Sequence, residues 1–193
     1  MEVIVDSERF EGTAIPHLEA LYRTARRWTG NDKDAEDLVQ ETYMRAYRFF
    51  SQFQPGTNIR AWLFKIMGNT HINIYRKNSR EGERVSLDEI PEFYLYQKAW
   101  DDDAFSQYVS PHKAVLEEFL DEDVLIALEK LPMEFRLAVV LADIEEFTYQ
   151  EIADILECPV GTVRSRISRG RKLLQKYLWE YAKKAQFARE TSA

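Results

Sequence analysis

Residues 147–178 read FTYQEIADILECPVGTVRSRISRGRKLLQKYL and contain the clearest structural signal in the chain. Thr148 and Glu151 have the spacing of a capping box, in which the two side chains satisfy free backbone donors at the start of a helix. A short helix with apolar residues then meets a turn at ECP, and a second helix follows. The stretch therefore predicts a helix-turn-helix.

The second helix of this stretch has one apolar face and one basic face. The apolar side chains recur at helical spacing and are expected to pack inward; they are Val160, Val163, Ile167, Leu174 and Leu178. The opposite face consists of Arg164, Ser165, Ser168, Arg169, Arg171 and Lys172. Arginine can bond guanine through two hydrogen bonds and serine permits close approach, so this face is typical of a helix that enters a DNA major groove. The alternative is a basic face that only contacts solvent.

The rest of the sequence favours an all-α protein. Only seven Gly and six Pro occur in 193 residues, and most of them separate long stretches of good helix formers. Asn31 is placed to cap a helix whose first turn, DKDAED, is acidic and suits the positive end of the helix dipole. The predicted helices are 12–29, 32–53, 58–80, 113–130, 133–146, 149–156 and 160–183.

A strongly acidic segment separates the N-terminal and C-terminal parts of the chain. The formal net charge is -7, but residues 86–123 hold eleven acids against two lysines. This segment also contains Pro91, Pro111 and the string DDDAFSQ, and it has no sustained helical period. We therefore predict two small helical domains, at 1–85 and 121–193, joined by an acidic flexible linker at 86–120.

Several classes of protein are excluded by composition. The longest apolar run, 137–142, is six residues, whereas a membrane helix needs ~18 or more. The N-terminus is acidic where a secretory signal is basic. Cys158 is the single cysteine, so disulfide scaffolds and zinc fingers are excluded. We expect a cytoplasmic protein without membrane insertion, metal, cofactor or catalytic residues.

The predicted helix 58–80 has a stripe suited to nucleic acid. Its members lie three or four residues apart, and they are Trp62, Lys65, Asn69, Asn73, Arg76 and Arg80, with Lys77 beside them. Rings stack on unpaired bases, amides read base edges and cations hold phosphates. The adjoining stripe is expected to be buried and consists of Leu63, Met67, Thr70 and Ile74. The alternative is that Trp62 belongs to the core and that the asparagines only contact solvent.

The predicted helix 32–53 has an inner apolar face made of Ala35, Leu38, Val39, Thr42, Ala46 and Phe49. Its outer face carries Asp34, Asp37, Gln40, Glu41, Arg45 and Arg48. A row of acids and arginines can dock a partner, or it can be a solvated surface with pairs four residues apart such as Glu41 and Arg45. The pattern alone does not choose between them.

An enzyme is a further alternative for this helix. A metal-dependent hydrolase would use Asp34, Glu36, Asp37 and Glu41 as a magnesium cluster. Only three of these four share a helix face. The sequence also has no phosphate-binding Gly-rich loop and no second carboxylate-rich helix with a general base beside it.

Three strings together resemble one protein family. They are DAEDLVQETYMRAYRFFSQF (34–53), GTNIRAWLFKIMGNTHINIYRK (56–77) and LPMEFRLAVVLADIEEFTYQEIADILECPVGTVRSRISRGRKLL (131–174). They resemble the bacterial extracytoplasmic-function sigma factors, the smallest class of sigma-70 proteins, with order and spacing intact over about 12–183. The resemblance implies an initiation factor for bacterial core RNA polymerase, with sigma region 2 at 1–85 and sigma region 4 at 121–193.

The resemblance also implies roles for individual segments. The helix 34–49 would dock on the clamp helices of the largest polymerase subunit, the segment 58–80 would read and open the minus-ten promoter element, and the helix-turn-helix would read the minus-thirty-five element. Arg164, Ser165 and Ser168 look base-proximal, with Arg169 and Arg171 on phosphate. Asn69 and Asn73 resemble positions near a flipped non-template base.

The resemblance gives two further expectations about partners. In the family the linker threads toward the polymerase active site, where residues 101–103 could mimic a nucleic-acid backbone; a solvated tether is the alternative. The string NTHINIYRKNSRE resembles the corresponding segment of the subgroup that responds to thiol-oxidative stress. The repressors of that subgroup are zinc-containing anti-sigma factors.

The alternative to a sigma factor is a conventional helix-turn-helix regulator, which would dimerise through its N-terminal helices and bind DNA without polymerase.

Overall fold

The computed structural model describes residues 2–81 and 121–191, and the surroundings of side chains within 7–77 and 123–179. All the regular elements among these residues are helical, which confirms the all-α prediction. The N-terminal unit consists of α1 (Glu2–Ala14), α2 (Leu18–Thr29), α3 (Asp32–Phe49) and α4 (Ile59–Glu81). The C-terminal unit consists of α5 (Asp121–Glu129), α6 (Met133–Val139) with a π-helical turn over Val140–Ile144, α7 (Tyr149–Leu156) and α8 (Val160–Thr191). The predicted linker, including residues 101–103, lies outside the described residues.

Three of the predicted helices have wrong boundaries, and one of them, predicted to end at 183, continues as α8 to Thr191. The predicted helix 12–29 is interrupted, because α1 ends at Ala14 and a 3-10 turn that contains Pro16 precedes α2. Proline lacks the backbone N–H that a continuous helix requires. The predicted helix 32–53 ends at Phe49 and continues only as a 3-10 turn over Phe50–Gln52.

Two residues assigned to inner faces are exposed instead. Phe49 is 43% exposed because α3 ends there, and the next residue, Phe50, takes the buried place against Phe10. Ile74 is 42% exposed because the last turns of α4 extend beyond the core, as do the following residues 75–77. The other inner-face residues predicted for these two helices are buried.

Both predicted helix caps are present. The Asn31 side chain accepts a hydrogen bond from the backbone N–H of Asp34 at 2.8 Å, which caps α3. Thr148 and Glu151 form the capping box of α7, in which the Glu151 carboxylate accepts the Thr148 backbone N–H at 2.9 Å. That backbone hydrogen bond lowers the pKa of Glu151. These caps fix where the helices begin, and thereby where their faces point.

The two helical units share one hydrophobic core. Helix α4 packs against both α3 and α7, so the core continues from one unit into the other. Phe64 of α4 is fully buried, and its ring meets Phe147 of the C-terminal unit edge-on with centroids 5.1 Å apart. Aromatic pairs of this kind stabilise a contact by ~0.5–1.5 kcal/mol beyond the apolar area that they bury. The units therefore contact each other through apolar side chains as well as through polar pairs.

Gly170 permits close packing of α8 on α6, which leads to a stability prediction. A Cβ atom at this position would lie 2.5 Å from Val139 Cγ2 and 3.3 Å from Phe135. We expect Gly170→Ala to lower the free energy of unfolding by ~1–3 kcal/mol, the usual cost of overpacking, measured by urea denaturation. Gly161→Ala is the matched control, because nothing lies within 4 Å of its Cβ position. Equal stability of the Gly170 variant and the wild type would contradict this packing.

Candidate nucleic-acid and polymerase-docking surfaces

The exposed face of α8 presents four of the six residues that the sequence assigns to it. Helix α8 begins after the turn at Pro159, whose carbonyl accepts hydrogen bonds from the backbone N–H groups of Thr162 and Val163. Val163 and Ile167 are fully buried, so the opposite face points outward. The exposed side chains on that face are Arg164, Ser165, Ser168 and Arg169. Cations and hydroxyls on one accessible face can read base edges in a major groove.

Arg171 occupies a different environment from the four exposed residues. Its guanidinium binds the Asp143 carboxylate with two nitrogens, Nη2 to Oδ1 at 2.5 Å and Nε to Oδ2 at 3.1 Å. Hydrogen bonds from this pair raise the pKa of Arg171. The pair joins α8 to the π-helical turn, so the Arg171 guanidinium already contacts a carboxylate of the same chain. Lys172, the last residue assigned to the face, is half-buried.

The residues of the predicted stripe on α4 fall into three groups with different surroundings. Trp62 is half-buried and not exposed as expected, because it packs against Phe53 with ring centroids 5.3 Å apart and against Phe50 at 6.4 Å. The C-terminal part is exposed and consists of Asn73, Arg76 and Lys77. The surroundings of Arg80 lie outside the described residues.

The middle of the α4 stripe contacts the C-terminal unit and stays partly exposed. Asn69 Nδ2 donates to Glu157 Oε1 at 3.2 Å, and Lys65 Nζ lies 3.5 Å from the same oxygen. Glu157 ends α7 in a left-handed backbone conformation with φ 50°. The amide and the ammonium group that sequence analysis assigned to nucleic acid therefore both contact a carboxylate of the same chain.

The outer face of α3 carries its predicted polar residues. Asp34, Asp37, Gln40, Arg45 and Arg48 are exposed, and Glu41 is half-buried. Arg45 Nε donates to Glu41 Oε1 at 2.6 Å, which is the pair expected from their spacing of four. The face thus offers charged side chains of both signs and one amide to a partner.

An apolar groove that was not predicted from the sequence lies beside this face. The groove has a volume of about 670 Å³ between α1, α2 and α3, and its apolar lining includes Phe10, Ile15, Leu18, Tyr43, Met44 and Tyr47. Met44 is 60% exposed. The signal available in the sequence was the spacing of Gln40, Met44 and Tyr47, which places two apolar side chains on the polar side of α3. A groove of this kind is suited to an apolar side chain of a partner.

The hydrolase alternative has no support among the described side chains. Asp34 Oδ2 accepts a hydrogen bond from Asn31 Nδ2 at 2.8 Å, and Glu41 pairs with Arg45. No group of three or more His, Cys, Asp or Glu within the described part of the chain is arranged to hold a metal ion. In the same ranges, no helix combines the length and apolarity needed to cross a membrane.

Comparison with protein families gives two matches that cover most of both units. Residues 15–81 match the family described as Sigma-70 region 2. Residues 122–174 match the family described as Sigma-70, region 4. The two matched ranges contain α2–α4 and most of the C-terminal unit.

Curated proteins similar to the chain are sigma factors. The ECF RNA polymerase sigma factor SigE of Mycolicibacterium smegmatis is 40% identical over 166 residues, which are 86% of this chain and 60% of that protein. EcfG of Rhodopseudomonas palustris is 34% identical over 86% of this chain and 81% of its own length. SigW of Bacillus subtilis is 31% identical over 90% of each chain. The chain thus spans less than two thirds of SigE but most of EcfG and SigW.

Two solved structures are similar in fold. The sigma factor RpoE from Bartonella quintana, in complex with the anti-sigma factor NepR, aligns with a TM-score of 0.66 and 32% identity, over 89% of this chain and 97% of that one. CnrH in complex with the cytosolic domain of CnrY aligns with a TM-score of 0.58 and 25% identity, over 89% and 88% of the two chains.

Proposed function

The chain belongs to the extracytoplasmic-function sigma factors of the sigma-70 family, and from that premise we propose that it directs bacterial core RNA polymerase to a specific set of promoters. The observation that carries the proposal is the presence of two separate candidate DNA-reading surfaces, on α4 and α8, in one chain. A promoter with two elements at a fixed spacing requires such a pair. The protein acts as a transcription initiation factor without catalytic activity of its own, and it works in the cytoplasm with its polymerase.

Helix α8 reads the minus-thirty-five element in this proposal. Arg164, Ser165 and Ser168 approach the base edges, and Arg169 and Lys172 contact phosphates. Arg171 acts as a positioning residue, because its guanidinium already binds Asp143 with two nitrogens. Phosphate contacts fix register, whereas base contacts carry the sequence preference.

Helix α4 opens the minus-ten element. Flipping a base out of the duplex costs a few kcal/mol, and Asn69 and Asn73 provide amide groups that can hydrogen-bond the extruded base. Arg76 and Lys77 follow, and together with Arg80 we assign them to the phosphates of the opened strand. The exposure of residues 73–77 supports this assignment.

Asn73→Ala tests strand opening separately from promoter recognition. We expect slower open-complex formation on duplex DNA, since the flipped base would lose a hydrogen bond worth ~0.5–1.5 kcal/mol. Permanganate reactivity and run-off product are measured with one holoenzyme on duplex templates and on templates with a pre-melted minus-ten bubble. The bubble template should restore most of the activity. Equal impairment on both templates would show that Asn73 serves folding or polymerase binding.

The outer face of α3 and the adjoining groove dock the polymerase. We assign Asp34, Asp37, Gln40, Glu41, Arg45 and Arg48 to polar contacts with the clamp helices, and Met44 and Tyr47 to apolar contacts. The similarity to RpoE from Bartonella quintana, a sigma factor crystallised with the anti-sigma factor NepR, supports a repressor of that class for this chain as well. Membership of the thiol-oxidative-stress subgroup, and with it a zinc-containing repressor, stays a prediction.

Footprinting with and without core polymerase distinguishes a sigma factor from a conventional helix-turn-helix regulator. A free protein of net charge -7 gains little from neutralising phosphates. The isolated chain should therefore protect promoter DNA weakly at physiological salt, and core polymerase should produce a specific footprint with strand opening. A tight, specific footprint by the isolated chain would favour the conventional regulator.

A further inference from the structure

Arg171 shares one stripe of α8 with two of the residues that the proposed function assigns to bases. Arg164, Ser168 and Arg171 are spaced by four and three residues, so they lie on the same side of the helix over about two turns. Arg164 and Ser168 are exposed, whereas the Arg171 side chain is only 30% exposed. By position alone, Arg171 would extend the DNA-reading stripe by one cation.

The ion pair with Asp143 engages this cation from a neighbouring element. Arg171 uses both Nη2 and Nε, and the Asp143 side chain is only 11% exposed. Hydrogen bonding to Asp143 is the main cause of the raised pKa of Arg171, and Tyr149 adds a smaller contribution. Asp143 lies in the π-helical turn, where the Glu145 backbone N–H donates to the Val140 carbonyl oxygen at 3.0 Å. Single π-helical turns are frequent at functional sites.

A second arginine of α8 provides a comparison within the same helix. Arg166 Nη2 lies 3.7 Å from Glu134 Oε2, which is a longer contact than that of Arg171 with Asp143. Arg166 is two residues from Arg164, a rotation of ~200° about the helix axis. It therefore lies on nearly the opposite side of α8 from the stripe. Releasing Arg166 from its acid would not add a cation to the stripe, whereas releasing Arg171 would.

The charge of the Arg171–Asp143 pair determines what it contributes to DNA binding. Each phosphate that a cation neutralises adds affinity for any sequence, and it steepens the dependence of log K on log salt by ~0.9. A guanidinium held with two nitrogens by a carboxylate belongs to a pair without net charge, and the carboxylate repels an approaching phosphate. Arg171 therefore adds no phosphate contact while the pair is intact.

We propose that Asp143 is a positioning residue that withholds Arg171 from the DNA phosphates and thereby lowers the affinity of α8 for DNA of any sequence. The proposal rests on the proposed function of α8. The residues assigned to base edges, Arg164, Ser165 and Ser168, then contribute a larger share of the binding. The holoenzyme consequently leaves DNA without the upstream element sooner than it would with one more phosphate contact.

Three variants separate this role from a general effect of charge. Asp143→Asn removes the carboxylate charge and keeps the size of the side chain, so that Arg171 is released. The double variant Asp143→Asn with Arg171→Gln replaces a neutral ion pair by a neutral amide pair. Glu134→Gln is the matched control, because it makes the same charge change and releases Arg166 on the other side of α8.

The measurement is equilibrium binding of each holoenzyme to fluorescein-labelled promoter duplexes, in potassium chloride from ~50 to ~200 mM. One duplex carries an upstream element that the wild type selects from a randomised pool, and the other carries a scrambled element. We expect Asp143→Asn to bind both duplexes ~3- to 10-fold more tightly at the lower salt, with a slope steeper by ~0.9. The double variant and Glu134→Gln should keep the wild-type slope.

Three results would overturn the proposal. They are an unchanged slope in Asp143→Asn, an equally steep slope in Glu134→Gln, and a slope in the double variant that is flatter than that of the wild type by ~0.9. The last result would show that Arg171 already contacts a phosphate, and it does not depend on whether the single variant folds. Failure of the wild-type holoenzyme to prefer the selected element would instead refute the proposed function of α8.

Discussion

Met44→Glu is expected to reduce the affinity of the chain for core RNA polymerase by ~30-fold or more. Met44 is 60% exposed beside the groove between α1, α2 and α3, so the substitution does not disturb the core. In the proposed complex, however, a carboxylate would replace an apolar side chain at the groove, and its desolvation would oppose binding. Central interface residues of this kind contribute ~2 kcal/mol or more to binding.

Ile74→Glu is the matched control for that substitution. Ile74 is an exposed aliphatic residue on a different helix, α4, and it does not line the groove; the substitution introduces the same charge there. Binding of each labelled chain to core polymerase is measured without DNA, so that effects on promoter contacts do not enter. We expect the Ile74 variant to bind like the wild type. Equal losses in the two variants would show that added negative charge, and not the groove, governs polymerase binding.

Arg164→Ala is expected to weaken recognition of the minus-thirty-five element by ~1–3 kcal/mol, and to relax the preference at one base position. Arg164 is on the exposed face of α8, while Val163 beside it is fully buried. The loss should be confined to sequences that carry the preferred base, because a contact to a base edge reads only that base. Holoenzyme binding to a randomised upstream element measures both the affinity and the preference.

Lys172→Ala is the comparison variant for Arg164→Ala. Lys172 lies two turns further along α8, where we assign it to phosphate. Its removal should lower affinity for all sequences alike and reduce the dependence on salt. The same profile of losses for both variants across the randomised set would contradict the division of α8 into base and phosphate contacts.

Features that depend on neighbouring residues were predictable from the sequence. The capping box at Thr148 and Glu151, the cap at Asn31 and the first turns of the two faces of α8 all involve residues within a few positions of one another. Both caps were found as expected, and so were the buried Val163 and Ile167 opposite the exposed Arg164 and Ser168. The errors occurred at helix ends, where the chain leaves the regular period. Pro16 interrupts a helix that composition favoured, and Phe49 and Ile74 lie where their helices pass out of the core.

Contacts between distant residues could not be predicted. The ion pair of Arg171 could not be predicted, because its partner, Asp143, is 28 residues away and on another element. The contact of Asn69 with Glu157 spans 88 residues, and that of Arg60 with Glu145 spans 85. A helical period shows which side chains share one face of a helix. It does not show which face of another helix packs against that face. The groove beside α3 was missed for the same reason, because three helices form it.

Run-off transcription on a pool of promoters tests most directly whether this chain acts as a sigma factor. We expect transcripts with defined start sites only when core polymerase and the chain are both present, from templates that share two sequence elements at one spacing. The spacing should be uniform because α4 and α8 belong to the same chain. An absence of such transcripts, together with tight sequence-specific DNA binding by the chain alone, would contradict the proposed function and identify a conventional helix-turn-helix regulator.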